Sequence, residues 1–229
     1  MLYLYAITES PEVPEDRGLR GSPLRAVTES ALHAIVSEHE DLRIEASEDD
    51  LWAHENVVES LMKRGSVLPM RLGSSVPDEA AVRDLLTSRE EEFRRALERV
   101  RGAVELGVRA VAAPAPEGAA TEASTPRRSS ASEGGPGTAY MLDRLEAGRR
   151  GDEILARVHE PLAQLARRST RRVAPGAGPQ LTASYLVDGD RVEEFRARVD
   201  ELDGELEGVA IVCTGPWPPY SFTAEEPAR

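Results

Sequence analysis

The stretch LYLYAIT at residues 2–8 decides the fold, because its first six positions are all apolar. An apolar run without polar alternation is typical of a central strand that is buried on both faces. Two shorter strands are predicted around residues 24–28 and 32–37, and the polar residues between them favour a hairpin turn. We expect these three strands to pair in a first sheet.

Two helices are predicted after the hairpin. The first begins at Ser47, which forms a pattern resembling a capping box with Asp50, and it ends near Gly65. Its apolar face is predicted to carry Leu51, His54, Val58, Leu61 and Met62. The second helix is predicted from Pro77 toward Val100 on one buried stripe.

Two more strands complete the predicted first domain. One covers residues 67–72 and is interrupted by Pro69, which favours an edge position or a bulge because proline cannot donate to a ladder. The other covers residues 104–111 after a helix stop at Gly102. A sheet combined with helices predicts an α+β domain over residues 1–111.

The second half of the chain begins with a change of composition. Residues 112–137 are mostly Ala, Pro, Gly, Ser, Thr and Glu without apolar periodicity, which predicts a low-complexity linker. Residues 138–229 are predicted to form a second α+β domain. It would contain a long helix over residues 140–165 and a β-α-β unit whose strands cover residues 181–187 and 209–214.

Charge and composition exclude several classes of protein. A net charge of −13 and a pI near 4.9 argue against nucleic acid as the main partner, because phosphate contacts need a clustered positive surface. No apolar run approaches the roughly 18 residues of a membrane span, and the N-terminus lacks a signal-peptide pattern. The single cysteine, Cys213, excludes an intrachain disulfide. We expect a cytoplasmic protein without membrane association.

The sequence contains no recognisable catalytic constellation. His54 and Glu55 begin like a zinc-helix motif, but Val58 stands where the second histidine would be required. The four histidines do not cluster, and neither a glycine-rich phosphate loop nor a nucleophile elbow occurs. We therefore predict that the chain is not an enzyme, and that it has no cofactor, metal site or small-molecule ligand.

Two basic features each allow two interpretations. The group Arg167, Arg168, Arg171 and Arg172 is favoured as the last turn of a helix, where arginines complement the helix dipole, over a dock for an acidic partner. Arg71 either forms a salt bridge at a strand end or contacts a partner beside an exposed sheet edge.

The octet GPWPPYSF at residues 215–222 is the most distinctive stretch of the chain. Its three prolines fix φ and predict a stiff, extended arm. Trp217, Pro218, Tyr220 and Phe222 are candidate contact residues of this arm, together with Arg71 outside it. Either the rings fold back as an intramolecular clasp, or they anchor a partner, because tryptophan and tyrosine are enriched at binding hot spots.

The octet, the stretch at residues 2–8 and the stretch VLPMRLG at residues 67–73 resemble, in this order, the gas vesicle protein F/L family. The resemblance implies a non-catalytic accessory or minor structural protein of gas vesicle assembly in the cytoplasm, located with the gas vesicle. It also implies two α+β domains, the first ferredoxin-like, and contact with the hydrophobic gas vesicle shell protein and other accessory proteins. The alternative is a small-molecule-binding or enzymatic ferredoxin-like protein, because that fold hosts many functions.

Overall fold

The first sheet is centred on strand β1 (Leu2–Thr8), which is buried along its whole length. The computed structural model describes residues 1–40, 47–112, 152, 154–174 and 180–224. Strand β3 (Leu32–Glu38) pairs antiparallel with β1, and β2 (Leu24–Glu29) pairs antiparallel with β3. The predicted pairing of these three strands is confirmed.

The sheet is extended by two short strands. β4 (Val67–Pro69) and β5 (Ser75–Val76) pair antiparallel with different parts of β1, so that the strand order is β2-β3-β1-β4 with β5 beside β1. The strand predicted over residues 67–72 is therefore shorter than expected, and β5 was not predicted. A pair of residues is too short to show any periodicity.

Both faces of β1 are covered by helices, which explains its continuous apolar sequence. Leu2 and Leu4 belong to a core cluster with residues of helices α2 (Glu79–Ser88) and α3 (Glu90–Val100). Tyr3 and Tyr5 belong to a second cluster with residues of α1 (Glu48–Met62). The alternation of side chains along a strand thus places helices on opposite faces of the sheet.

Helix α1 begins as predicted, since the Ser47 side chain accepts a 3.1 Å hydrogen bond from the Asp50 N–H. The prediction of one helix from Pro77 to Val100 is wrong, because α2 ends at Ser88 and α3 begins at Glu90. The Thr87 and Ser88 hydroxyls bond to backbone carbonyls within α2 and compete with the helical ladder. The apolar stripe continues across the break, so periodicity could not reveal it.

The second sheet has the strand order β7-β8-β6-β9. Its strands are β6 (Ala103–Ala112), β7 (Arg168–Ala174), β8 (Gln180–Asp188) and β9 (Val209–Trp217), and helix α5 (Val192–Glu205) lies between β8 and β9 in the chain. The two strands of the predicted β-α-β unit do lie in one sheet, with β6 between them. The strand that ends the predicted first domain is therefore paired within the second sheet.

The interpretation of the arginine group as the last turn of a helix is wrong. Arg168, Arg171 and Arg172 lie on β7, and Arg167 directly precedes it. The stretch RSTRRVA suits a strand as well as a helix end, and pairing with β8 in the second sheet selects the strand. Of the long predicted helix, the described part is a π-helical turn (Leu155–His159) followed by α4 (Glu160–Ala163).

The chain divides into two compact units. One comprises Met1–Leu106, Leu186–Val192 and the segment from Gly215 onward, and the other comprises Gly107–Tyr185 and Glu193–Thr214. The octet therefore belongs to the same unit as β1. Apart from Ala112, the predicted linker lies outside the described residues, and the division into domains at residues 111 and 138 stays a prediction.

Candidate functional site

The octet begins within β9, at Gly215, and only glycine fits this position. Gly215 has a φ of +108°, and an added Cβ would lie 2.7 Å from the Glu105 carbonyl oxygen. Both the backbone conformation and the close approach exclude a side chain here. The Gly215–Pro216 peptide bond that follows is cis.

The far end of the octet is fixed by a carboxylate and a guanidinium. The Ser221 N–H and hydroxyl donate to the two carboxylate oxygens of Glu105 at 2.8 and 2.7 Å. Nε of Arg99, on α3, donates to the Phe222 carbonyl oxygen at 3.1 Å. The Phe222 ring is 4% exposed and lies in the core cluster of α2 and α3. Phe222 is thus an internal anchor of the octet.

The middle of the octet is held by a histidine on α1. Nε2 of His54 lies 3.0 Å from the Met70 carbonyl oxygen and 3.1 Å from the Tyr220 hydroxyl. A carbonyl only accepts, so Nε2 carries the proton, and Nδ1 accepts from the Tyr3 hydroxyl at 2.8 Å. The Tyr220 hydroxyl in turn donates to Oε1 of Glu55 at 2.8 Å. We refer to Tyr3, His54, Glu55 and Tyr220 as the His54 cluster.

Burial keeps the imidazole and phenol groups of the His54 cluster neutral. It lowers the pKa of His54 to about 4, and it raises the pKa of Tyr220 and of Tyr3 well above their usual value. The pKa of Glu55 is raised, first by burial, while the Tyr220 hydrogen bond opposes this shift. The neutral side chains of Tyr3, His54 and Tyr220, hydrogen-bonded in this way, hold the octet in position.

An apolar groove of about 420 Å³ opens beside this cluster. Leu51 and Trp52 from α1 and Trp217 and Pro218 from the octet line it, with Tyr220. Its remaining lining residues are Glu55, Glu59 and Glu105. The side chains of Trp52 and Trp217 are 59% and 44% exposed. We call this site the tryptophan groove, because it brings together both tryptophans of the chain.

The described part of the chain contains no candidate metal cluster and no candidate membrane-spanning helix. No group of three or more His, Cys, Asp or Glu residues there could hold a metal ion. No helix in those same ranges combines the length and the apolar character needed to cross a bilayer.

Comparison with known proteins decides the family. The family model described as gas vesicle synthesis protein GvpL/GvpF matches residues 1–224. The chain belongs to the GvpL/GvpF family. It is therefore a protein of gas vesicle formation.

Curated relatives support this membership over the full length. Gas vesicle protein L of Streptomyces sp. strain CB03234 is 34% identical over 257 residues, which cover 98% of this chain and 94% of the relative. Gas vesicle protein F of the same strain is 34% identical over 242 residues, which cover 96% and 98%.

A solved structure shows the fold. The crystal structure of the gas vesicle protein GvpF from Anabaena sp. PCC7120 matches with a TM-score of 0.81 at 22% identity, covering 100% of this chain and 98% of that chain. The likeness confirms the α+β fold.

In this GvpL/GvpF family member, the predicted contact residues separate into two groups. Trp217, Pro218 and Tyr220 line the tryptophan groove, whereas Phe222 lies in the core. Arg71 is exposed after β4 and is not among the lining residues. Whether these residues bind a partner stays a prediction.

Sequence reasoning missed the half of the groove that α1 provides. Leu51 was expected on the buried face of α1 but is 42% exposed, because it lies at the margin of the apolar stripe. Trp52 lies off that stripe. A tryptophan on the polar side of a helix, in a chain with 4% aromatic residues, was the signal that could have revealed it.

Proposed function

We propose that this GvpL/GvpF family member is a non-catalytic accessory or minor structural protein of gas vesicle assembly, and that it binds the hydrophobic shell protein and other accessory proteins in the cytoplasm. The observation that carries the proposal is the tryptophan groove. Trp52 and Trp217 are large, exposed apolar side chains on one face of a folded unit, and such a surface is typical of a protein-binding site.

The rigidity of the octet supports a binding role. Trp217 lies between Pro216 and Pro218, and Tyr220, Ser221 and Phe222 are each held by hydrogen bonds or by core packing. A side chain presented on a pre-ordered segment loses little conformational entropy when a partner binds. The groove is therefore suited to contact an apolar subunit that would otherwise aggregate.

A non-catalytic role is supported by the chemistry of the His54 cluster. The depressed pKa of His54 makes it a weak base, and the raised pKa of Tyr220 makes it a weak acid. Their polar atoms are already engaged with one another, with Met70 and with Glu55. The imidazole of His54 and the phenol of Tyr220 are therefore not poised to transfer a proton at neutral pH.

A ferredoxin-like first domain remains part of the proposal. It is supported by the antiparallel strand order β2-β3-β1-β4, and β7-β8-β6-β9 repeats the same chain-order pattern in the second sheet. The segment between β1 and β2 contains a 3₁₀ turn (Leu19–Gly21) and does not contain any helix longer than this turn.

The test is co-purification of the chain with the shell protein after co-expression. The double variant Trp52→Ser/Trp217→Ser is expected to lose most of the bound shell protein. Val212→Ser is the matched control, because Val212 is also apolar and 56% exposed but does not line the groove. Equal recovery with the double variant would reject the groove as the binding site. Absence of co-purification, together with normal vesicles in a deletion strain, would reject the function itself.

A further inference from the structure

The tryptophan groove is unusual in the charges at its margin. Glu55 and Glu59 are half-buried one turn apart on α1, and none of the described lining residues is basic. Within the described part of the chain, neither carboxylate forms an ion pair with lysine or arginine. The Glu59 charge contributes to the raised pKa of Glu55. Like charges at this spacing destabilise a helix when nothing compensates them.

Several glutamates on other helices of the chain form ion pairs. Arg83 bonds Glu79 on α2 at 2.8 Å, and Arg94 bonds Glu90 on α3 at 2.8 Å. On α5, Arg198 lies 2.9 Å from Glu201. These ion pairs satisfy the acidic residues locally. The groove margin departs from this pattern at the place where two tryptophans are exposed.

Glu105 in the groove lining and Glu48 one turn before Trp52 also accept hydrogen bonds from neutral donors. Glu105 accepts both of its hydrogen bonds from Ser221, and Glu48 accepts a 3.4 Å bond from Nε1 of Trp52. These hydrogen bonds bring no positive charge to the apolar surface. The groove combines an apolar lining with an uncompensated negative margin, and its complement is apolar and positively charged.

Resting on the proposed function, we propose that the tryptophan groove binds a basic amphipathic segment of a gas vesicle partner. The apolar side chains of that segment lie between Trp52 and Trp217, and its lysine or arginine side chains pair with Glu55 and Glu59. A wholly apolar segment would leave these carboxylates desolvated without a positive counter-charge, which is costly. The Glu55 and Glu59 carboxylates thus favour apolar segments that also carry positive charge.

The test uses three tryptophan-free amphipathic peptides of about 18 residues with the same leucine face. The positions that flank this face carry lysine in one peptide, glutamine in the second and glutamate in the third. Binding is measured by the intrinsic fluorescence of the full chain, because both of its tryptophans line the groove. We expect the lysine peptide to bind about 10-fold more tightly than the glutamine peptide, and the glutamate peptide to bind weakest.

Two variants separate the contributions. The double variant Glu55→Gln/Glu59→Gln is expected to weaken binding of the lysine peptide about 5- to 10-fold and to leave binding of the glutamine peptide unchanged. The control is Glu193→Gln/Glu205→Gln on α5, which removes the same net charge at positions outside the groove lining. It is expected to change the affinity for neither peptide. Added salt should reduce the preference for lysine.

Each other outcome overturns the proposal. Equal affinity for the three peptides, with shell-protein binding still lost in Trp52→Ser/Trp217→Ser, would reject the charge selection and leave the proposed function standing. A failure of all peptides to bind would reject a peptide-binding groove, whereas failed co-purification of the shell protein would reject the function. A concentration-dependent spectral change without peptide would show that a second copy of the chain covers the groove.

Discussion

The Tyr220 hydroxyl donates a 2.8 Å hydrogen bond to Oε1 of Glu55, a residue 165 positions earlier in the chain. This contact joins the octet to α1, so that Trp217 and Trp52, which flank it, line one groove. The groove is therefore a property of the folded chain, and neither segment carries it alone.

The first prediction concerns this contact. Tyr220→Phe leaves the partly buried Glu55 carboxylate without its donor, and we expect a loss of about 1–3 kcal/mol in the free energy of unfolding. Urea denaturation followed by circular dichroism measures the change. Tyr185→Phe is the matched control, because Tyr185 is also buried and lies 2.8 Å from Nδ1 of His159. Only Tyr220→Phe is expected to change tryptophan fluorescence, and an unchanged spectrum would contradict the assigned role of the contact.

The second prediction separates the two ends of the octet. Phe222→Ala creates a cavity in the core and is expected to cost about 3–5 kcal/mol. Trp217→Ala removes a half-exposed ring and is expected to cost about 1 kcal/mol or less. Thermal and urea unfolding of the two variants measure the difference. Equal losses would show that Trp217 is as much an internal clasp as Phe222.

The third prediction concerns Gly215, the first residue of the octet. Gly215→Ala must accommodate a Cβ that would lie 2.7 Å from the Glu105 carbonyl oxygen, at a φ of +108°. We expect destabilisation of at least about 1–3 kcal/mol. Gly204→Ala is the control, because Gly204 lies in α5 and nothing lies within 4 Å of its added Cβ. That change is expected to be neutral or to stabilise by up to about 1 kcal/mol. A harmless Gly215→Ala variant would contradict the close approach.

Sequence reasoning succeeded where the signal was local. The continuous apolar run of β1 indicated burial on both faces, and Ser47 with Asp50 marked the start of α1. Each of these features depends on residues that are neighbours in the chain. The same applies to the hairpin of β2 and β3.

Sequence reasoning failed where contacts between distant parts of the chain decide which of two structures a segment adopts. The basic residues of RSTRRVA suit a helix end as well as a strand, and only pairing in the second sheet selects β7. The apolar sequence of β6 fits any sheet, so its place between β8 and β9 was not predictable. The tryptophan groove required the same information, because Trp52 and Trp217 become neighbours only through tertiary contacts.

The last prediction uses the titration of His54. Its folded-state pKa is about 4, whereas an exposed histidine titrates near 6.5. A depressed pKa contributes stability that is fully present above pH 6.5 and is lost as the pH falls toward 4, because the unfolded chain takes up the proton first. The free energy of unfolding that is lost over this pH range because of His54 is about 3 kcal/mol.

The measurement is the free energy of unfolding of the wild type and of His54→Gln between pH 7 and pH 4. Glutamine cannot take up this proton, so the stability gap between the two proteins should narrow as the pH falls. His33→Gln is the control, since the pKa of His33 is also lowered by burial but its ring bonds only Thr28 among the described contacts. The difference in the free energy of unfolding between the wild type and His33→Gln should therefore narrow less as the pH falls. A gap for His54→Gln that stays constant across this range would show that the imidazole titrates alike in the folded and unfolded chain, and would contradict its place in the buried cluster.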